Sequence, residues 1–188
     1  PPSQVRQCFS GYELWLNRSQ KILDQCYIEF DFSSGRPPQN QRSYTGDKHN
    51  DVQLLRQLCN DKISHRYTHQ EKSVIQQRVD QEIDVIQQMD FVPYFLINWD
   101  IVQHARKQGF FYVGRGSGAN SILAYLLGIT NVDPIELDLY FERFINVYRK
   151  NPPDFDIDFS WRDRQAITEY IFKRFKNVAL LGAYNTFQ

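Results

Sequence analysis

The stretch NPPDFDIDF, residues 151 to 159, constrains this chain more than any other. In an extended strand successive side chains point to opposite faces, so Asp154, Asp156 and Asp158 share one face while Phe155, Ile157 and Phe159 share the other. Aspartate is a poor strand former and like charges on one strand face repel, so the pattern costs stability unless a positive charge compensates it. A divalent metal ion is one such charge. The other reading is ordinary: aspartate also serves strand ends and turns, and the two prolines before Asp154 suit a loop.

A second element supplies what the first lacks. VGRGSGANSILAYLLG carries glycines at 114, 116 and 118, directly after an apolar run and at the entry to a helix. Glycine permits close backbone approach to a ligand, and free N–H groups at a helix start bind anions. Ser117 is placed as the helix N-cap. The spacing is neither the dinucleotide fingerprint nor a P-loop, and a capped helix after a tight turn explains it equally well. An acidic strand suited to Mg²⁺ beside a turn suited to phosphate oxygens makes the two halves of a nucleotidyl-transfer site. Arg143, between them in YFERF, is a candidate for triphosphate charge or for a surface pair with Glu142 or Asp138.

Composition bounds the partners. With 22 basic and 22 acidic residues the chain is neutral, which argues against nonspecific coating of nucleic acid but permits a local basic track. Aromatic residues make up 15% of it, enough for a real core. There is no apolar run of membrane-spanning length and no signal peptide at the start, so a cytoplasmic protein without a membrane partner is expected. Cys8, Cys26 and Cys59 suggest reduced thiols. His65 and His69 stand four apart without the Glu or Cys of a zinc motif, and His49 in a polar loop and His104 on a helix read as surface residues.

The periodicities predict helices over 17 to 30, from 51 through 63, over 70 to 89 and from Pro93 to Gly109. The 51–63 helix would carry Val52, Leu55 and Leu58 on its apolar face; the 70–89 helix would carry Ile75, Val79, Ile83, Ile86 and Met89. A linker rich in Ser, Pro, Gly, Asn and Gln covers 31 to 50. Then follow a strand at 110–113, helices at 118–127 and 134–145, the acidic strand at 154–159, a helix at 162–175 and a strand at 178–184. The expected fold is α/β or α+β, a small mixed sheet flanked by helices.

GRGSGANSILAYLLGITNVDPIELDLYFERFIN followed by PPDFDIDF resembles the palm of the bacterial DNA polymerase III alpha family, the DnaE type of family C polymerases. EIDVIQQMDFVPYFLINWDIVQHARKQG is similar to the helices before the glycine motif in that family, and DQCYIEFDF and LLRQLCNDKISHRY to its connection from the amino-terminal PHP domain. The resemblance implies a palm of the polymerase-beta-like nucleotidyltransferase fold over 70–188, truncated at 188, behind a connecting arm over 1–69. It implies that Asp154 and Asp156 are catalytic, binding two Mg²⁺ ions, with Asp158 a supporting carboxylate. Gly116, Ser117 and Arg143 would contact nucleotide phosphate. Arg149 falls on the arginine of the family's segment before the acidic strand, and Arg115, Arg149, Arg162 and Arg164 are further candidates for phosphate or DNA, with Lys173 and Arg174 beside them. The implied reaction is template-directed transfer from a dNTP to a primer 3′-hydroxyl. Primer–template DNA would be a partner, as would a sliding clamp and other replisome subunits through regions outside this sequence, where the family's third catalytic aspartate and fingers also lie. A fragment of this kind is expected to be inactive alone. The rivals are a metal-dependent phosphohydrolase that uses the same aspartates, and a noncatalytic scaffold.

Overall fold

Residues Ile75, Val79, Ile83 and Ile86 recur at steps of three and four, and all four are fully buried along one side of a helix, α4, Lys72–Gln88. The computed structural model describes residues 2–26, 43–141, 154–175 and 178–179, and the chain divides into two compact units, 1–36 and 37–188. The first unit contains α1, Pro2–Cys8, and α2, Glu13–Gln25. Helix α2 begins four residues before the expected start and has no buried residue. At its beginning the Glu13 carboxylate accepts the Gly11 N–H at 2.8 Å, which fixes the turn there and favours an acid at the helix N-terminus.

The second unit begins its helices with α3, Lys48–Arg66, capped by the Asp47 carboxylate, which accepts the Asn50 N–H at 2.9 Å. This cap draws the last residues of the expected linker into the helix, so His49 is helical and not in a loop. The buried row of α3 is Asp51, Leu55, Cys59 and Ile63, at steps of four, with Val52 and Leu58 only partly buried at its flanks. Helix α5, Val92–Gln108, carries Pro93 in its first turn and ends on Gly109 at φ 74°. Helices α3 and α4 pack against the short α6, Ile122–Leu127, and α5 packs against α3 and α4. Helix α3, upstream of the boundary expected at residue 69, therefore shares its core with helices downstream of it.

Strand β1 is Tyr112–Arg115, two residues later than expected. The Phe110 N–H is taken by the Ala105 carbonyl at 2.9 Å as part of the α5 C-terminal cap, so it cannot begin a ladder. Strand β2 is Asp156–Phe159, antiparallel to β1, with Tyr112 opposite Phe159, Val113 opposite Asp158, Gly114 opposite Ile157 and Arg115 opposite Asp156. Asp154 and Phe155 precede the ladder: the Asp154 carbonyl accepts the Gly118 N–H at 3.1 Å, and the Phe155 N–H donates to the Tyr94 hydroxyl at 3.2 Å. Among the described residues the sheet has these two strands, and with Tyr112 and Ile157 packed against the helical core the class is α+β.

No helix forms over 134–140; the chain makes a turn there, with Asp138 in the left-handed region at φ 50°, a conformation that a helix does not accommodate. The rest of the helix expected over 134–145 lies outside the described residues, as does most of the strand expected at 178–184. After β2, Ser160 accepts from the Asp163 and Arg164 N–H groups, and helix α7 runs Arg164–Arg174, held against α5. No helix of the described residues is long and apolar enough to cross a membrane.

Candidate functional site

The antiparallel register decides what the acidic strand faces. Val113, Arg115, Asp156 and Asp158 share one face of the sheet, and Tyr112, Gly114, Ile157 and Phe159 the other. On the core side Tyr112 and Ile157 pack against the helices. On the open side the Arg115 guanidinium donates from Nη1 to Asp156 Oδ2 at 2.9 Å and from Nε to Asp158 Oδ2 at 2.6 Å, with Nη2 3.4 Å from Asp158 Oδ1. The hydrogen bond from Arg115 holds the Asp158 carboxyl below the usual carboxylate range, and the same bond with the charges of both aspartates raises the Arg115 guanidinium. Positive charge compensates the acidic face here, as electrostatics requires, and an arginine supplies it.

Asp154 sits just before the ladder and meets the glycine turn. The Ser117 hydroxyl donates to its carboxylate, and the Gly118 N–H to its carbonyl. Gly116 has φ 93°, and a Cβ there would lie 2.7 Å from the Asp154 carbonyl oxygen and 3.3 Å from Oδ2. Only glycine can bring the turn this close to the acidic segment. Behind it Phe155 stacks on Tyr94, ring centroids 5.4 Å apart, and meets Phe95 edge-on at 5.2 Å, which fixes the start of the acidic strand against α5. The turn and the strand, separated by 37 residues in sequence, thus form one surface.

Of the residues expected at the site, Arg115, Gly116, Ser117, Asp154, Asp156 and Asp158 come together. Arg143 and Arg149 lie outside the described residues. Arg162 lies over the exposed Trp161 ring at 5.3 Å, and Arg164 and Lys173 are exposed on α7. Arg174 is engaged internally, with Nε 3.1 Å from Asp100 and its guanidinium over Tyr44. Ser117 does not cap a helix: Gly116 precedes a single 3₁₀ turn, Ser117–Asn120, and Ser121 caps α6 by accepting from the Leu123 and Ala124 N–H groups. His65 lies in the last turn of α3 and His69 beyond its end, so they share no helix face.

The buried row of α4 includes a charged residue that an apolar stripe alone does not predict. Glu82 falls three residues after Val79, on the buried side of α4, and is fully buried. Burial raises its carboxyl, against the opposing pull of Ser121, Arg78 and the Ile122 N–H.

Among the described residues no group of three or more His, Cys, Asp or Glu side chains is gathered to hold a metal ion. The donor chemistry of the acidic face nevertheless fits a hard divalent cation, because it offers only carboxylate oxygens. Arg115 is a stand-in positive charge on two of those carboxylates, and its side chain is 61% exposed. A surface of this kind can hold a cation at its carboxylates and an anion at the turn, the requirement of a phosphate-handling domain.

The chain's similarities agree with that class. Residues 53–188 match the model of the bacterial DNA polymerase III alpha NTPase domain, and the chain belongs to this family. It is 36% identical over 92% of its length to the DNA polymerase III subunit alpha of Halalkalibacterium halodurans, and 34% identical over its whole length to an error-prone DNA polymerase of Symbiobacterium thermophilum. An error-prone DNA polymerase 2 of Agrobacterium fabrum is 34% identical over 97% of the chain. The aligned region spans only 15%, 17% and 17% of these three relatives.

Proposed function

We propose that this chain is part of a DNA-directed DNA polymerase of bacterial replication, a cytoplasmic enzyme that extends a primer 3′-hydroxyl with dNTPs on a template. The observation that carries the reading is the bonding of Ser117 and Gly118 to Asp154, which brings phosphate-suited backbone next to the acidic strand. In this reading residues 70–188 are the first part of a palm, with residues 1–69 leading into it. Primer–template DNA and a dNTP are the substrates, and a sliding clamp and other replisome subunits bind elsewhere on the parent.

Asp154 and Asp156 would hold two Mg²⁺ ions, which when bound lower the pKa of the primer hydroxyl and stabilise the leaving pyrophosphate. Gly116 and Ser117 would present backbone N–H donors to triphosphate oxygens, aided by Arg143. Arg115, released from Asp156 and still held by Asp158, is long enough to follow the phosphate charge. Asp158 lies two residues further along the strand and keeps Arg115 oriented. Arg149, Arg162 and Arg164 are candidates for DNA backbone phosphates.

The test is made in the intact polymerase. Asp154→Asn and Asp156→Asn each should lower incorporation by at least about a thousandfold with an unchanged circular dichroism spectrum, because each removes a ligand charge from the reacting centre. Asp158→Asn should cost far less. Near-normal activity in the first two would refute the site, and equal loss in all three would refute the ranking.

A further inference from the structure

Glu82 is a fully buried carboxylate that the proposed chemistry does not use, and two of its bonds lead toward the site. Its Oε2 accepts the Ser121 hydroxyl at 2.7 Å, and its Oε1 accepts the Ile122 N–H at 3.2 Å and the Arg78 Nε–H at 2.9 Å. Ser121 and Ile122 are the residues that immediately follow the 3₁₀ turn Ser117–Asn120. Within the turn the Ser121 N–H donates to the Gly118 carbonyl at 3.2 Å and the Ala119 N–H to the Gly116 carbonyl at 3.2 Å, while the Gly118 N–H reaches Asp154. An unbroken run of bonds therefore connects Glu82 on α4 to the acidic strand.

Arg78 extends the same arrangement in a second direction. Its Nη2 donates to the Leu139 carbonyl at 3.2 Å, and its guanidinium lies 5.4 Å from the centre of the buried Phe141 ring. Burying an ion pair is costly and would be replaceable by apolar side chains if packing were its only use. This pair instead satisfies a backbone N–H, a hydroxyl and a backbone carbonyl on two segments that converge on α4, and no buried side-chain polar atom of the described residues lacks a partner.

We propose that Glu82, held by Arg78, is a positioning residue for the nucleotide-phosphate site: it fixes the trailing end of the glycine–serine turn and so sets the turn's distance to Asp154. The inference rests on the reading of that turn as a phosphate contact. Glu82 touches no substrate. Its effect passes through Ser121 and Ile122, and a loosened turn would weaken triphosphate binding before it altered anything else.

The experiment has two arms, each with Glu82→Gln, which keeps size and one acceptor but removes the charge. In this 188-residue chain, amide hydrogen exchange at Gly118, Ala119 and Ser121 should become at least tenfold faster, while Leu96 and Val102 in α5 stay within about twofold. A merely structural loss would speed all of these equally; that result, or no change at the turn, overturns the inference. In the intact polymerase the KM for dNTP should rise at least fivefold with a smaller change in kcat, and Gly116→Ala should also raise it. A raised KM in Gly116→Ala with an unchanged KM in Glu82→Gln overturns the inference and leaves the phosphate reading standing. An unchanged KM in both overturns the phosphate reading, and the inference with it. Ser121→Ala cuts the same link from the other side, and the same two arms decide the matter if Glu82→Gln does not fold.

Discussion

At the scale of single residues, Gly114, Gly116 and Gly118 look alike in sequence and do three different things. Gly114 lies on the core face of β1, where a Cβ would sit 1.8 Å from the Ile129 carbonyl oxygen, so its need is close packing of two backbones. Gly118 gives room to Phe155, whose ring would be 2.0 Å from an added Cβ and is itself held between Tyr94 and Phe95. Gly116 alone has a positive φ, at 93°, and faces Asp154. Gly114→Ala should therefore destabilise the fold by about 2 kcal/mol or more, since the obstructing atoms are backbone and cannot rotate aside. Gly116→Ala should cost about 1 to 3 kcal/mol of local strain and act mainly on nucleotide binding. Urea unfolding of the two variants, read beside nucleotide KM in the intact polymerase, checks the division; a neutral Gly114→Ala would contradict it. Sequence marked the triplet as a place of close approach but could not say what approaches, because Ile129 and Phe155 reach it only through tertiary folding. The acidic alternation was legible for a different reason: strand geometry alone puts the three carboxylates on one face. That Arg115 would answer them depended on a register that no local pattern encodes.

At the scale of elements, legibility followed the length of the apolar pattern. Helices α4 and α5 have long buried stripes and appear where their periodicity puts them, whereas β1 and the 134–140 segment are short enough for local bonds to decide. Helix α3 adds a case of its own, because its buried row includes a charge. Asp51 accepts the Tyr44 N–H at 2.8 Å, the Thr45 N–H at 2.7 Å and the Thr45 hydroxyl at 2.6 Å, so the segment leading into α3 folds back over that helix. Burial pushes the Asp51 carboxyl up, but the bonds from Thr45, the Tyr44 N–H and Ser43 outweigh it and hold the carboxyl below its ordinary value. A carboxyl whose folded pKa is depressed stabilises the fold above its unfolded pKa and loses that contribution as pH falls through the folded value. Asp51→Asn should thus cost about 2 kcal/mol at pH 7, since an amide offers one acceptor oxygen to the several donors that meet this carboxylate. The difference from wild type should shrink as pH drops below about 4, the unfolded aspartate value. Denaturant midpoints at pH 7, 5 and 3 measure it, and a difference that stays constant or grows toward pH 3 would exclude this role for Asp51.

At the scale of the whole molecule, these 188 residues hold the turn and the acidic face but span only 15% of the Halalkalibacterium alpha subunit. Asp156 and Asp158 are at the surface, with side chains 43% and 56% exposed, so a cation at their oxygens is attracted through a high-dielectric medium and competes with Arg115 for the same atoms. The described residues gather no third ligand around them. With 22 positive and 22 negative side chains the chain also has no net field to draw DNA toward that face. Binding energy for a nucleotide in this chain would come mainly from the turn and the arginines proposed beside it, and positioning of a primer end against it, which supplies much of the acceleration in such transfers, would have few contacts among the described residues. The isolated chain should fold and bind Mg²⁺ with a dNTP only in about the millimolar range, near 4 kcal/mol, and it should give no product with a primed template. Calorimetric titration and a primer-extension assay on purified residues 1–188 test both statements. Template-directed extension by this chain would mean that the exposed aspartates and the glycine–serine turn suffice for catalysis, and the account of the site as one part of a larger centre would fail.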